Sequence, residues 1–316
     1  MRTLHFTVPK SDDGKKVLHF LKKSAGLSTK LIRRLKVEEN GILLNGKPTR
    51  TVDLLSAGDL LTLHLPEDKE MVSYEGFDPD SLDILYEDED IIVINKPAGM
   101  AMHPSHNHQG DTLANLLAAY LAKQGKTCSF RAVGRLDKGT SGIVVCALHS
   151  FAASRLQGNI RKTYYAIPAG KYEGSGTIRE PIFRPDPMKT LRTTDPRGVP
   201  AVTHWKALRT GEEASLLEIH LETGRTHQIR VHFASLGTPL IGDRLYGIPR
   251  DDISHQALHC GKAEFIHPYT GEKLCLEAPL PVDFSALLQE GEGEVFFPEN
   301  SLKSPDVVEA RKDIPK

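Results

Sequence analysis

The sequence has few cysteines and no long apolar run. Its four cysteines, at positions 128, 146, 260 and 275, are far apart and form no CxxC pair, which argues against a disulfide-stapled scaffold. No stretch approaches the roughly 18 apolar residues that cross a bilayer. The N-terminus lacks the apolar run and the cleavage site of a secretory signal. We therefore expect a cytoplasmic protein with free thiols and no membrane partner.

Charge is distributed unevenly along the 316 residues. The net charge is only −1, yet residues 10–50 carry eleven Lys and Arg against four acids, a net +7. Residues 66–90 invert this balance, with one lysine against eleven acids, a net −10. Such asymmetry suggests a basic module on an acidic tether, which can bind a polyanion although the whole chain is nearly neutral. Two solvated faces with no partner are the alternative.

The N-terminal segment, residues 1–66, has the pattern of a small α/β module. Apolar residues recur at helical spacing over residues 15–36, and Gly26 divides them into two short amphipathic helices. Ser28 is suited to cap the second helix. The Asn45-Gly46 pair that follows predicts a hairpin between two short strands. The predicted basic face of the second helix comprises Lys30, Arg33, Arg34 and Lys36.

Three elements of this segment carry a resemblance to a known domain: the LxxxLK pattern, the string GILLNGK and the AGDLL turn. Over roughly residues 14–66 the segment resembles the S4 RNA-binding domain. The resemblance implies that the basic face is an RNA-binding arm. A small basic dimerisation module is the alternative.

The rest of the chain divides into three predicted parts. Residues 67–82 are acidic and lack periodicity, so we interpret them as a linker. Residues 83–290 contain many short strand-like runs and few helices, which predicts an α+β domain with a largely antiparallel sheet. One of those helices is predicted over residues 112–121, with Asp111 as its cap. Residues 291–316, charged and without an apolar face, are expected to be a disordered tail.

The segment with the strongest chemical pattern is GRLDKGTSG, residues 134–142, directly before the apolar run 143–148. Polar residues and glycines that adjoin a core strand predict a loop held rigidly at the edge of the sheet, where catalytic side chains tend to lie. From the residues alone, Asp137 between Arg135 and Lys138 fits a local ion pair as well as a catalytic acid.

Four further segments stand in a recognisable order around this one. INKPAGMAMHPS at 94–105 precedes it. RKTYYAI at 161–167, a long segment at 222–247 with GRTHQIRVH and GDRLYG, and LHCGKAEFIHPYTGE at 258–272 come after it. With GRLDKGTSG they resemble the pseudouridine synthases of the RluA type, over about residues 84–282. The resemblance implies the pseudouridine synthase fold, a largely antiparallel mixed sheet with flanking helices. Arg244 departs from the family pattern, which often has proline there, and is expected to affect loop shape only.

The resemblance also implies a chemistry. Asp137 matches the catalytic aspartate of the family. Conversion of uridine to its C-glycoside occurs at one redox level, so no cofactor is expected, and an ionised carboxylate can stabilise or capture the electron-poor sugar carbon. By the same resemblance Arg230 pairs with Asp137 and Tyr164 stacks on the uracil ring. A strand-surface arginine and a core tyrosine are the alternatives for these two positions.

Further residues are expected to bind substrate. Arg135 resembles the family residue that fills the space left by a flipped base. Lys96 belongs to the first matched segment. Arg225, His227 and Gln228 are donors where a strand is predicted to start, and they either contact RNA or brace the loop.

Competing interpretations remain open at this point. The histidines at 103, 106 and 108 fit no zinc spacing, so no metal is expected. A non-catalytic RNA-binding or ribosome-assembly factor on the same fold is one alternative to an isomerase. An unrelated glycosidase is another, although no motif supplies its second carboxylate. The expected partner is RNA, ribosomal or transfer, and the expected state is a monomer.

Overall fold

The structure is a computed structural model, and it describes residues 2–66, 78–105, 108–127, 129–247 and 249–288. Most of the predicted linker and the predicted tail lie outside these residues, so the boundaries proposed from the sequence stay a prediction. The chain divides into two compact units. The first unit comprises Met1–Lys138, Val144–Arg161 and Ala263–Cys275, and the second comprises Gly139–Ile143, Lys162–Lys262 and Leu276–Lys316.

Fifteen strands and six α-helices are present in the described residues. The strands are β1 (Thr3–Thr7), β2 (Ile42–Leu44), β3 (Lys47–Pro48), β4 (Leu60–His64), β5 (Ile84–Glu87), β6 (Ile91–Lys96), β7 (Ser141–Ala147), β8 (Arg161–Ala166), β9 (Ser175–Ile178), β10 (Ile182–Phe183), β11 (Thr193–Thr194), β12 (Thr203–Arg209), β13 (Leu216–Leu221), β14 (Leu258–Ile266) and β15 (Lys273–Glu277). The helices are α1 (Val17–Lys23), α2 (Thr29–Val37), α3 (Leu113–Lys123), α4 (Ser150–Leu156), α5 (Gln228–Ser235) and α6 (Val282–Leu287).

The N-terminal module, residues 2–66, has the predicted helices and hairpin. Its antiparallel strands follow the order β1-β4-β2-β3, and α1 and α2 contribute their apolar sides to its core. The Ser28 side chain accepts the backbone N–H of Leu31, as a helix cap does. Asn45 and Gly46 have φ values of 50° and 78°, as a two-residue turn between β2 and β3 requires. Along α2, Lys30, Arg33 and Lys36 are exposed and Arg34 is half-buried.

The rest of the first unit contains the β5–β6 antiparallel pair, α3 and α4. Helix α3 begins one residue later than a cap at Asp111 would place it. Its cap is Thr112, whose hydroxyl and the Asn115 side chain form a reciprocal capping box. The Asp111 cap was therefore wrong, because this carboxylate lies 2.6 Å from Nδ1 of His108 instead.

The second unit is built on the strand order β7-β14-β8-β13-β12-β9. The first residues of β7 pair with β14 in parallel, while β8, β13, β12 and β9 pair successively as antiparallel neighbours. This architecture confirms the predicted α+β class with a largely antiparallel sheet. The segment 228–235 corrects one expectation, because it is a helix and no strand starts there. All six residues from Gln228 to Phe233 are buried, and a helix buried on every side shows no polar face from which it could be recognised.

Two further expectations can be compared with the described residues. Cys260 and Cys275 are free thiols, as predicted, Cys146 is buried on β7, and Cys128 lies outside the described residues. Among the residues that the structure describes, none of the helices combines the length and the apolar character needed to cross a membrane.

Candidate active site

The loop that carries Asp137 is fixed at its start by backbone pairing. Within the first unit, the N–H of Val133 donates to the carbonyl of Val145 at 2.8 Å, and Ala132 forms a bridge with Cys146. Leu136 is buried, whereas Arg135 and Lys138 are exposed and Asp137 is half-buried between them. The carboxylate therefore lies at the surface, on a loop whose first residues pair with β7. The sequence predicted such a loop at the edge of the sheet.

Lys96 connects this loop to the first matched segment. Its side chain is 0% exposed, and its ammonium donates to the carbonyls of Pro97 at 2.8 Å, Met100 at 2.9 Å and Lys138 at 3.2 Å. Burial lowers the pKa of Lys96 to about 7, and the Asp137 carboxylate opposes this shift by favouring the ammonium. Complete burial argues against the predicted contact of Lys96 with substrate. The side chain instead fixes the backbone that follows Asp137.

His103 and His108 contribute imidazole groups to the first unit. The ring of His103 meets Phe130 edge to face at 4.9 Å, and burial and then the charge of Arg135 lower the pKa of His103. Lys138 Nζ lies 3.2 Å from Nε2 of His108. Because an ammonium only donates, Nε2 accepts and Nδ1 carries the proton that bonds Asp111. The Nε2 lone pair that a metal would need is thus engaged with Lys138.

The second half of the loop, residues 139–143, is fixed within the second unit. Gln256 Nε2 donates to the Thr140 hydroxyl at 3.0 Å, and the Ser141 hydroxyl lies 2.9 Å from Nδ1 of His259. Burial lowers the pKa of His259 to about 4, so its imidazole is neutral at physiological pH. At Gly142, which has a φ of +104°, a Cβ would lie 2.2 Å from the carbonyl oxygen of Cys260. Only glycine fits that contact without displacing backbone.

Tyr164 is half-buried on β8 of the second unit. Its ring packs against the cluster that contains Leu217, Ile219 and Phe233, whereas the ring of Tyr165 packs against a different cluster. The two neighbouring tyrosines thus face opposite sides of the sheet, as the alternation of a strand requires. The core contacts of Tyr164 hold its ring in place, and stacking on a base stays a prediction.

Arg230 is bound inside the second unit by Asp243, an acid that is not among the predicted site residues. Its Nε and Nη2 donate to the two carboxylate oxygens of Asp243 at 2.7 and 2.8 Å. Asp243 is 0% exposed and also accepts the backbone N–H groups of Leu245 and Tyr246. The guanidinium lies 5.1 Å from the centre of the Tyr246 ring. The GDRLYG string was the available signal, because its turn brings an acid and an aromatic ring to one guanidinium.

The three predicted donors at the start of α5 differ in exposure and in hydrogen-bond partners. They are Gln228, Arg225 and His227. Gln228 is 2% exposed, its carbonyl accepts from Thr223 and Arg225, and its amide donates to Val202 and Thr203. All its hydrogen-bonding positions are used, which supports bracing over substrate contact. Arg225 is exposed and its Nε donates to the carbonyl of Pro200 at 3.1 Å. His227 has a φ of 59° and its Nδ1 lies 2.9 Å from the Tyr246 hydroxyl.

Comparisons with known proteins place this geometry in a family. The model of the RNA pseudouridylate synthase family matches residues 90–235. YhcT of Bacillus subtilis, an RNA pseudouridine synthase described as uncharacterized, is 39% identical over 300 residues, which cover 90% of this chain and 96% of that protein. Ribosomal large subunit pseudouridine synthase D of Neisseria meningitidis serogroup A is 36% identical over 273 residues, which cover 80% of this chain and 72% of that protein.

A solved structure agrees with these sequence relatives. The structure of human RNA pseudouridylate synthase domain containing 1 superimposes with a TM-score of 0.53 at 27% identity, covering 65% of this chain and 86% of that chain. The matched region includes the loop with Asp137, the strand with Tyr164 and the helix with Arg230. The chain therefore belongs to the RNA pseudouridine synthases, isomerases that act on RNA.

Proposed function

We propose that this enzyme isomerises uridines at defined positions of structured RNA and that Asp137 is its catalytic carboxylate. The observation that carries the proposal is the surroundings of Asp137 in the first unit. The carboxylate is half-buried on a loop whose backbone is bonded by the fully buried ammonium of Lys96, and that ammonium interacts electrostatically with Asp137. The reaction needs a carboxylate that the sugar of the substrate can reach, and the half-buried side chain of Asp137 on this loop meets that requirement.

The reaction requires no oxidant or reductant. The N1–C1′ bond of uridine breaks, the uracil ring turns, and C5 bonds to C1′. The proton on C5 is lost and N1 gains a proton, so substrate and product have the same composition. A carboxylate can capture or stabilise the electron-poor C1′ while the base is detached. This accounts for an acid at position 137 without a second catalytic carboxylate.

The other matched residues receive roles that support this step. We propose that Tyr164 stacks on the uracil and that Arg230 favours the ionised form of Asp137. Arg135, exposed next to Asp137, is proposed to fill the space that a flipped base leaves in a helix. Arg225 and His227 are proposed to contact the RNA backbone, for which the exposure of Arg225 is suitable.

The N-terminal module is proposed to bind the RNA outside the target base. The exposed side chains of Lys30, Arg33 and Lys36 on α2 form a basic face of the kind that binds phosphates. Because the Neisseria relative is named for the large ribosomal subunit, ribosomal RNA is our first choice of substrate and transfer RNA the second. We propose that the enzyme acts as a cytoplasmic monomer. No observation favours a non-catalytic RNA-binding factor.

Asp137→Asn in the full-length protein tests the proposal. Total RNA from cells that lack the gene is incubated with wild-type protein, with Asp137→Asn or with Asp186→Asn, an acid in the loop between β10 and β11. Pseudouridine is then mapped by a chemical adduct that stops reverse transcription. We expect Asp137→Asn to form no pseudouridine and to bind RNA within a few-fold of wild type. Near-normal conversion by this variant would show that another group is the catalytic acid.

A further inference from the structure

The N-terminal module shares its core with residues far away in the sequence. Phe151 of α4 is 1% exposed inside the hydrophobic cluster of the module, and Tyr269 packs against the same cluster. The ring of Phe6 on β1 meets Phe20, Phe151 and Tyr269 edge to face, at centroid distances of 6.1, 6.1 and 6.2 Å. All these residues belong to the first unit. The module is therefore packed onto the chain segments around 151 and 269, and an acidic tether is not its sole connection to them.

A partly buried ion pair accompanies this apolar contact. Arg2 donates through Nε and Nη2 to the two carboxylate oxygens of Asp90, at 2.9 and 3.1 Å, and its guanidinium lies 4.8 Å from the centre of the Tyr269 ring. Asp90 is 3% exposed and also lies 2.7 Å from Nε2 of His149. Bidentate pairing defines both the distance and the direction between two groups. Arg2 thus fixes the start of β1 relative to β6.

A neighbouring histidine completes this charged cluster without forming a metal site. His267 lies 2.8 Å from Asp88, and the three side chains Asp88, Asp90 and His267 are close enough to ligate one ion. Nδ1 of His267 accepts the backbone N–H groups of Tyr269 and Thr270, so the proton is on Nε2. A protonated Nε2 faces the Asp88 carboxylate and has no lone pair for a metal. The cluster therefore combines the Arg2–Asp90 ion pair with a neutral imidazole.

A third contact lies at the turn between α1 and α2. A Cβ on Gly26 would lie 2.6 Å from Nη1 of Arg155 on α4, so the guanidinium covers the backbone of this turn. The module thus meets these later segments at Arg2 and Phe6, which both contact Tyr269, and at the Gly26 turn, which Arg155 covers. Contacts at two places restrict rotation as well as translation, which a flexible tether does not.

We propose that Arg2 and Asp90 are specificity-determining residues: their ion pair holds the basic face of α2 in one orientation on the unit that carries Asp137, so that RNA geometry selects the target uridine. The inference rests on the proposed function. A flexibly tethered module would raise the local concentration of any RNA near the active site. A module in one orientation favours only RNAs whose phosphates and target base lie at the matching separation.

Arg2→Met tests this inference, because methionine keeps apolar contact with Tyr269 and removes the charge. Glu89→Gln is the matched control, since Glu89 also bonds Arg2 but its side chain is 77% exposed. Total RNA from cells lacking the gene is modified by each full-length protein. The readout is a selectivity ratio, the pseudouridine formed at the main wild-type position divided by that formed at all other positions.

We expect Arg2→Met to lower the selectivity ratio by about tenfold, the effect of losing roughly one bidentate charged contact, while Glu89→Gln stays within about twofold. Arg2→Lys should recover part of the ratio because it restores the charge but not the bidentate geometry. Asp90→Asn, which removes the other charge of the same pair, provides a second test if Arg2→Met unfolds. An unchanged ratio in the folded variants would overturn the inference, as would an equal loss at every position. Absence of pseudouridine with wild-type protein would instead refute the proposed function.

Discussion

Asp243→Asn is the substitution whose effect the structure defines most sharply. Asparagine has nearly the shape of aspartate and can still accept the N–H groups of Leu245 and Tyr246 through its amide oxygen. In the wild type, the Arg230 guanidinium makes two charged hydrogen bonds to the Asp243 carboxylate. The asparagine side chain presents only neutral groups to that guanidinium. The substitution therefore removes one charge from a buried pair and leaves the other in place.

The magnitude follows from burial. The Arg230 side chain is 8% exposed and that of Asp243 is 0% exposed, so water cannot replace the lost carboxylate. Breaking such a pair on one side costs about 3–5 kcal/mol, a large part of the roughly 5–15 kcal/mol that stabilises a typical domain. With a urea m-value of about 2 kcal/mol/M, the unfolding midpoint should fall by about 2 M.

A double-mutant cycle separates the ion pair from other effects. The cycle compares wild type, Asp243→Leu, Arg230→Met and the double variant by urea unfolding and by pseudouridine formation. Each single variant removes one charge of the bidentate pair and keeps the other buried, whereas the double variant removes both charges, so we expect it to be more stable than either single variant. It should nevertheless form no pseudouridine, because the proposed role of Arg230 requires the guanidinium.

Two outcomes would refute this reasoning. Additive losses of stability would mean that the two side chains do not stabilise each other. Conversion by the double variant at the wild-type rate would mean that Arg230 is a structural residue whose acid partner exists only to neutralise it.

Two shorter predictions concern the loop that carries Asp137. Because the pKa of Lys96 is lowered to about 7, the unfolded chain holds one more proton than the folded chain between pH 7 and the ordinary lysine value, and stability rises with pH across that window. Lys96→Met should remove this pH dependence, which amounts to about 1.4 kcal/mol in the free energy of unfolding per pH unit. Urea unfolding measures that free energy from pH 7 to pH 9. The same slope against pH in the variant and in wild type would contradict the prediction. Gly142→Ala should lower the Tm by roughly 5–15 °C, because overpacking costs about 1–3 kcal/mol and the positive φ adds about 1–2 kcal/mol. Gly125→Ala is the control, with a φ of +69° and open space at its Cβ; an equal loss there would show that the Cys260 carbonyl is not the cause.

Much of the N-terminal module could be predicted from the sequence because its signals are local. Helical spacing, the Ser28 cap and the Asn45-Gly46 turn each depend on a few neighbouring residues, and each is present in the structure. The strands of the larger sheet were also predictable, since short apolar runs bounded by glycine and proline turns are typical of strands.

Helix α5 was mistaken because its pattern imitates a strand. Ile229, Val231 and Phe233 alternate with Arg230 and His232, which is the period of two that indicates a half-buried strand. The polar residues between them are buried as well, each with a partner from elsewhere in the chain. His232, for example, lies 2.9 Å from the Thr203 hydroxyl and from the carbonyl of Glu180. Such partners depend on tertiary contacts that no local pattern contains.

The site residues divide in the same way. Motifs identified the positions of Asp137, Tyr164 and Arg230, but not what surrounds them. Lys96 was expected to bind substrate, and only its burial among three carbonyls shows that it holds backbone. Asp243 was overlooked because the acid that serves Arg230 lies 13 residues away, beyond the reach of any helix or turn rule.

The shared core of the N-terminal module has a consequence for how the chain folds during synthesis. Residues 2–66 are synthesised long before Phe151 and Tyr269, whose side chains complete their core. Contacts between residues so distant in sequence are slow to form, and the apolar surface that they cover is exposed until then. We expect nascent chains stopped before residue 150 to be sensitive to protease and to bind chaperones, and chains extended beyond Tyr269 to become resistant.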